Sequence, residues 1–212
     1  MLAMVNMDLG NLQSVLEAFR RVGAEVSVTA RADEIERAAA VILPGVGAFG
    51  DGMESLRRKG LVEPLRAHAL ERNKPLFGIC LGMQLLADEG EEHGLHQGLG
   101  LLRGRAVRLK PSGRADRIPN MGWCDARIVK PGSVLLENVR DGESFYFAHS
   151  YHVECRTPDD VAATIEYGGD RVVAAIERGN LFGVQFHPEK SQEAGLNLLQ
   201  SFCKHMQRIS AG

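Results

Sequence analysis

The feature that most constrains the fold of this chain is a cysteine flanked by two glycines, Gly78-Ile79-Cys80-Leu81-Gly82. An apolar run from Pro75 to Ile79 precedes it, and an apolar helical pattern from about Gly82 to Glu89 follows it. Glycine–x–nucleophile–x–glycine between a strand and a helix is typical of a nucleophile elbow. The turn would place the sulfur at a helix N-terminus, which favours a thiolate. A buried structural cysteine between chance glycines is the alternative interpretation.

The first half of the chain alternates strand and helix patterns. Apolar runs predict strands at Leu2 to Met7, Glu25 to Val28 and Ala39 to Leu43. Asn11 can cap a helix whose apolar positions recur every 3.6 residues. This alternation predicts parallel βαβ units with helices on both faces of the sheet. Such sheets place reactive residues beyond the carboxyl ends of their strands, where Cys80 falls.

The second half contains mostly β-type runs. They are Val107 to Leu109, Ser144 to Phe147, Tyr151 to Cys155, Val161 to Glu166, Val172 to Ile176 and Leu181 to Phe186. A last amphipathic helix is expected from about Gln192 to Ile209. We therefore predict an α/β fold with a mixed, mainly parallel central sheet, antiparallel additions in the second half, and one domain over residues 1–212.

Composition excludes several classes of function. A net charge of -2 without a cluster of basic residues argues against nucleic-acid binding. We expect no membrane-spanning segment, and the apolar start reads as a strand rather than a signal peptide. The four cysteines are widely spaced without a C-x-x-C pair, which disfavours disulfides and zinc and fits a cytoplasmic location.

A histidine and a glutamate follow the last predicted strand, in Gln185-Phe186-His187-Pro188-Glu189. A thiol nucleophile needs a base, and histidine serves at neutral pH when a carboxylate orients its ring. His187 and Glu189 can meet across the stiff proline, although a surface loop with an incidental histidine is the alternative. His149, which lies at another strand end, could also line the site.

A second glycine-rich strand end, Pro44-Gly45-Val46-Gly47, could supply a backbone N–H to an oxyanion, as could Leu81. A simple tight turn is the alternative. A phosphate cradle is disfavoured because no Gly-Lys-Ser/Thr follows.

Together these segments resemble the class I glutamine amidotransferases over essentially the whole chain. Within that class they are most similar to the glutaminase subunits of imidazole glycerol phosphate synthase, of histidine biosynthesis. The segments that carry the resemblance are Gly10-Asn11-Leu12-x-Ser14-Val15, Leu43-Pro44-Gly45-Val46-Gly47-Ala48-Phe49, Gly78 to Leu86, Ile118-Pro119-x-Met121-Gly122-Trp123, Phe145-Tyr146-Phe147-x-His149-Ser150-Tyr151 and Gln185 to Ser191. Asn120 and Cys124 stand where other residues are usual in the family.

The resemblance implies hydrolysis of L-glutamine by a catalytic triad of Cys80, His187 and Glu189. It implies no metal and no organic cofactor, and a heterodimer with a cyclase subunit, a β/α-barrel that receives the ammonia. It also implies an oxyanion site and a glutamine site, formed respectively by Val46, Gly47 and Leu81, and by Gln84, Tyr146, His149 and Ser150.

Three alternatives remain open at this point. Similar subunits feed ammonia to a different acceptor in cell-surface sugar amidination. A free-standing γ-glutamyl hydrolase could use the same three residues. A non-catalytic paralogue could keep only the fold, although the intact Cys80, His187 and Glu189 argue against it.

Overall fold

A computed structural model describes residues 1–111 and 117–211, built around a nine-stranded sheet. Its parallel strands are β1 (Leu2–Val5), β2 (Val26–Thr29), β3 (Ala40–Gly45), β4 (Leu76–Cys80) and β13 (Leu181–Val184). Its antiparallel strands are β8 (Asn120–Ile128), β9 (Glu143–His149), β11 (Val161–Tyr167) and β12 (Asp170–Arg178). The order β2-β1-β3-β4-β13-β12-β11-β8-β9 confirms a parallel half followed by antiparallel additions.

Helices cover both faces of this sheet. They are α1 (Leu12–Arg21), α2 (Ala32–Arg37), α3 (Phe49–Arg58), α4 (Val62–Leu70), α5 (Leu81–Leu85) and α6 (Gln192–Ala211). Successive strand residues point to opposite faces, so Met4 packs with Phe19 and Phe202 of α1 and α6. Val5 instead belongs to the opposite cluster, which includes Leu56 of α3. No helix among the described residues is long and apolar enough to span a membrane.

Local signals predicted the first half well. Asn11 caps α1, where its side-chain oxygen accepts a hydrogen bond from the backbone N–H of Ser14 at 3.4 Å. Pro64 lies in the first turn of α4, where a missing N–H costs no helical hydrogen bond. The predicted strands of this half and the last helix agree with the structure to within about two residues, whereas the predicted run Val107 to Leu109 covers only the end of a longer strand and β8 was not predicted.

The predicted helix from Gly82 to Glu89 is wrong in its second half. The helix ends at Leu85, and the chain continues as strand β5 (Ala87–Gly90). Asp88 explains the change, because its side chain accepts a hydrogen bond from the backbone N–H of Gly104 at 3.1 Å and its carbonyl accepts one from Gly98 at 2.8 Å. These tertiary hydrogen bonds override helix propensity, which is a weak determinant.

The expectation that the later β-runs extend the central sheet is wrong for two of them. Strands β7 (Leu102–Arg108) and β10 (Tyr151–Cys155) join β5 and β6 (His96–Gln97) in a separate four-stranded sheet of order β10-β7-β5-β6. The backbone leaves the central sheet after β9, and Ser150 accepts a hydrogen bond from the N–H of Leu109 at 2.9 Å. The small sheet thereby brings β10 next to α5, close to Cys80.

Candidate active site

Cys80 lies where β4 becomes α5, in a strained backbone conformation with φ 53° and ψ -112°. Glycines on both sides make this turn sterically possible. A Cβ on Gly82 would lie 1.6 Å from the carbonyl oxygen of Leu43, and one on Gly78 would lie 2.6 Å from the backbone nitrogen of Met83. A non-glycine residue at positive φ of this kind costs about 1–3 kcal/mol and persists only where the surrounding structure enforces it.

His187 reaches the cysteine because β13 runs parallel to β4, with Val184 opposite Ile79. The chain leaves β13 at the same edge of the sheet at which β4 ends. His187 Nδ1 lies 2.8 Å from Oε1 of Glu189, and both side chains are almost fully buried. The hydrogen bond with Glu189 occupies Nδ1, which leaves Nε2 of the ring to interact with Cys80.

The electrostatics of His187 favour its protonated form. Burial by itself lowers the pKa of His187, but hydrogen bonds with Cys80 and Glu189 outweigh it and raise the pKa to about 9. His187 is therefore a strong enough base to hold the proton of the Cys80 thiol, as an imidazolium beside the sulfur and the carboxylate. This arrangement suits a base that takes a thiol proton and returns it to a leaving group.

The glycine-rich end of β3 lies beside the elbow, since Gly45 is opposite Cys80 in the parallel pair β3–β4. Val46, Gly47 and Leu81 line one wall of a cavity of about 310 Å³ that reaches Cys80. Leu81 is the first residue of α5, and the first N–H groups of a helix lack partners within it. The structure therefore brings the three residues predicted for the oxyanion site to the same cavity as Cys80.

The cavity is also lined by Gln84 and by the segment between β9 and β10. His149 and Ser150, predicted from the sequence, line the cavity together with Tyr151. Tyr146 is not among the described residues that line the cavity. Its ring packs against Trp123, with 6.0 Å between ring centroids, and Lys190 Nζ lies 5.9 Å from the ring centroid of Tyr146.

Two residues at the site were not singled out in the sequence. Glu92 lines the cavity, and its Oε2 accepts a hydrogen bond from the N–H of Phe49, the first residue of α3, at 2.9 Å. Gln185 is fully buried, with Nε2 3.7 Å from the sulfur of Cys80. The sequence does hold two indications of these residues: Glu92 lies in an acidic run, and Gln185 lies two residues before His187. Neither indication shows where the side chain points.

The described residues do not bring three or more histidine, cysteine, aspartate or glutamate side chains together as a metal site. Cys80 itself places a sulfur nucleophile beside a buried imidazole with a carboxylate partner and beside the N-terminus of α5. A cleft with these groups can cleave a carboxamide or ester through a thioester.

The family model for class-I glutamine amidotransferases matches residues 3–206 of this chain. The chain therefore belongs to the class-I glutamine amidotransferase family. Within it, the chain is 49% identical over 201 residues to imidazole glycerol phosphate synthase subunit HisH of Moorella thermoacetica, covering 95% of this chain and 93% of that one. It is 45% identical over 195 residues to the protein of the same name from Chlorobaculum tepidum, covering 92% and 95% respectively.

Solved structures share the fold at lower sequence identity. The structure of PurLQS from Thermotoga maritima includes a chain that matches with a TM-score of 0.74 and 22% identity, over 97% of this chain and 98% of that chain. A crystal structure of a glutamine amidotransferase matches with a TM-score of 0.71 and 20% identity, over 99% of both chains. At this level of identity the likeness concerns the fold.

Proposed function

We propose that this chain hydrolyses L-glutamine to glutamate and ammonia as the glutaminase subunit of imidazole glycerol phosphate synthase, acting as one domain. The observation that carries the proposal is the strained Cys80 in the lining of a cavity, in contact with His187, which is paired with the buried Glu189. The names of the 41–49% identical relatives support the assignment to this synthase.

In the first half of the reaction, the Cys80 thiol gives its proton to His187, and the sulfur attacks the carboxamide carbon of glutamine. The carbonyl oxygen becomes an oxyanion that backbone N–H groups near Val46 and Leu81 stabilise. His187 then protonates the amide nitrogen, the carbon–nitrogen bond breaks, and ammonia leaves a γ-glutamyl thioester on Cys80. Glu189 holds the ring and stabilises its positive charge.

In the second half, His187 removes a proton from a water molecule, which attacks the thioester carbon. The carbon–sulfur bond breaks, the sulfur regains a proton, and glutamate is released. Each proton moves between groups that the fold already holds together. The cycle therefore uses neither a metal nor an organic cofactor.

The cavity offers acceptors that suit the α-ammonium group of glutamine. Gln84 Nε2 donates to the carbonyl of Tyr151 at 2.8 Å and to Oε1 of Gln185 at 3.2 Å. Both N–H bonds of the Gln84 amide are thus used, which leaves its oxygen to accept from the substrate. Glu92 adds a carboxylate to the same cavity, so we assign the ammonium to Gln84 and Glu92.

Exposed apolar side chains at the cavity and further along β8 suit a partner subunit. Met121 is 66% exposed, Trp123 is 49% exposed, and Val46 is 42% exposed. Met121 is opposite Ala148, which lines the cavity, and Val46 lines it directly. A partner over these side chains would bury costly apolar surface and cover the site where ammonia is released.

Coverage of the site would preserve ammonia as a nucleophile, because free ammonia is largely protonated at neutral pH. We therefore propose a heterodimer with a cyclase subunit, a β/α-barrel that receives the ammonia. The proposal places the complex in the cytoplasm, where reducing conditions keep the thiol of Cys80 reactive.

The experiment is to measure glutamate release by the chain alone, with a cyclase subunit of imidazole glycerol phosphate synthase, and with that subunit plus its nucleotide ligand. We expect a rate increase of at least about tenfold in the full mixture, the size of an ordinary coupling free energy between two sites. Equal rates in all three mixtures would exclude this partner and redirect the search to another acceptor or to a free-standing hydrolase.

Matched surface variants show whether these exposed apolar side chains form the docking surface. Trp123→Ala should weaken the apparent affinity for the cyclase subunit, because exposed tryptophans often contribute strongly to interfaces. Val129→Ala, at a similarly exposed apolar residue just after β8, should leave that affinity unchanged. If both variants bind the cyclase subunit with the wild-type affinity, the partner docks elsewhere on the molecule.

A further inference from the structure

A buried amide, to which the proposed mechanism gives no role, lies against the sulfur of the nucleophile. Gln185 is 0% exposed and follows β13 directly. Its Nε2 lies 3.7 Å from Sγ of Cys80, and its Oε1 accepts from Nε2 of Gln84 at 3.2 Å. Gln185 is not among the described residues that line the substrate cavity, so its amide reaches the sulfur from within the protein.

The backbone carbonyl of Tyr151 fixes the orientation of this amide. A carbonyl oxygen can only accept, so the group of Gln84 that lies 2.8 Å from it must be the NH₂ group. The second N–H of that group points to Gln185, which must therefore present its oxygen to Gln84. Only the nitrogen of Gln185 is then left to face Cys80, so the sulfur receives an N–H donor.

A second chain of hydrogen bonds ends on the same carbonyl. His149 Nδ1 lies 2.9 Å from the oxygen of Tyr151, and its Nε2 lies 3.2 Å from Nδ2 of Asn120. His149 must donate through Nδ1 and accept at Nε2, which requires the neutral ring. Burial lowers the pKa of His149 to about 4, in agreement with that state. Both lone pairs of the carbonyl are thus engaged, which holds the Gln84 amide in one orientation.

We propose that Gln185 is a catalytic residue whose amide N–H stabilises the Cys80 sulfur as a thiolate and aims it at the substrate. The inference rests on the proposed glutaminase function. A hydrogen bond donated to the charged form of a group favours that form, and burial removes the water that would compete for the donor. His187 takes the proton from one side of the sulfur while Gln185 supports the remaining charge from the other.

The test measures the reactivity of Cys80 without any substrate. Wild-type protein and Gln185→Met are alkylated with iodoacetamide over a range of pH, and the rate is read by mass spectrometry on the peptide that contains Cys80. Methionine has a similar length but no N–H donor. We expect the pH midpoint of alkylation to rise by about one unit, which corresponds to about tenfold slower reaction below the midpoint.

Steady-state kinetics separate this role from substrate binding. In the complex with the cyclase subunit, Gln185→Met should lower kcat for glutamate release by about tenfold below the alkylation midpoint, while KM changes by less than about twofold. The KM is expected to stay nearly constant because the side chain of Gln185 lies outside the cavity lining and the carbonyl of Tyr151 still orients the Gln84 amide in the variant. A large rise in KM with an unchanged kcat would overturn the inference.

Two controls exclude a general loss of structure. Cys203 is buried on α6, and burial raises its pKa to about 11, so it stays unreactive while the protein is folded. If Cys203 becomes reactive in Gln185→Met, that variant has lost its fold, and the test is repeated with Gln185→Leu. Asn180→Leu removes another amide, which donates to Ala69 and Lys74 at the opposite end of the sheet, and should leave Cys80 alkylation unchanged.

An unchanged midpoint at Cys80, with Cys203 still protected, would overturn the role of Gln185. That result would leave the proposed function intact if the wild-type complex releases glutamate. Conversely, wild-type protein that releases no glutamate with any partner would remove the proposed function. The alkylation profile would still report in that case whether Gln185 stabilises the sulfur.

Discussion

Replacement of Cys80 by alanine should lower the rate of glutamate release by about 10⁴-fold or more. The sulfur forms the only covalent bond to substrate in the proposed cycle, and without it His187 and the oxyanion donors can only assist a slow attack by water. Glutamate production by the complex, measured with saturating glutamine, checks this expectation. Cys203→Ala is the matched control, since Cys203 lies on α6 and should keep nearly full activity.

A glycine at position 80 should remove the activity and yet stabilise the fold. Cys80 has φ 53° and ψ -112°, a conformation that glycine adopts at little cost. Cys80→Gly should therefore be inactive and yet raise the free energy of unfolding by about 1 kcal/mol or more relative to Cys80→Ala, which keeps the strain. Equal stability of the two variants in urea unfolding would show that the elbow stores no strain.

Gly82→Ala should destabilise the protein by about 3 kcal/mol or more, near the upper end of overpacking substitutions. The added Cβ would lie 1.6 Å from the carbonyl oxygen of Leu43 and 2.7 Å from its carbonyl carbon. Both are backbone atoms, so no side-chain rotation relieves the contact, and β3 and α5 must separate. The free energy of unfolding from denaturant titration measures the loss.

Gly179→Ala provides the matched control for that substitution. Gly179 has φ 57° in the turn between β12 and β13, and a Cβ there would meet nothing within 4 Å. It should cost only about 1 kcal/mol, from the left-handed backbone. A loss for Gly82→Ala no larger than for Gly179→Ala would contradict the close approach of β3 and α5 at the elbow.

The sequence predicted those parts of the site that depend on short-range patterns. The elbow at Cys80 is encoded within five residues, and the spacing of His187 and Glu189 across Pro188 restricts them to one turn. The parallel order of strands then brings the ends of β3, β4 and β13 to one edge. Strand periodicity and turn residues were sufficient for that inference.

The remaining features depend on contacts that the sequence does not reveal. The segment Leu86-Ala87-Asp88-Glu89 consists largely of good helix formers, yet tertiary hydrogen bonds to Asp88 make it a strand. That change of direction decides which carboxylate of the acidic run, Glu92, reaches the cavity. The orientation of the Gln185 amide depends on a carbonyl in β10, which belongs to the second sheet.

The most direct test of the central claim is to treat the complex with an electrophilic analogue of glutamine and locate the modified residue by mass spectrometry. The account predicts one covalent adduct, on Cys80, with glutamate release lost in proportion and the labelling slowed by excess glutamine. Modification at another residue, or full activity in protein whose Cys80 is completely labelled, would contradict the claim that Cys80 is the nucleophile that hydrolyses glutamine.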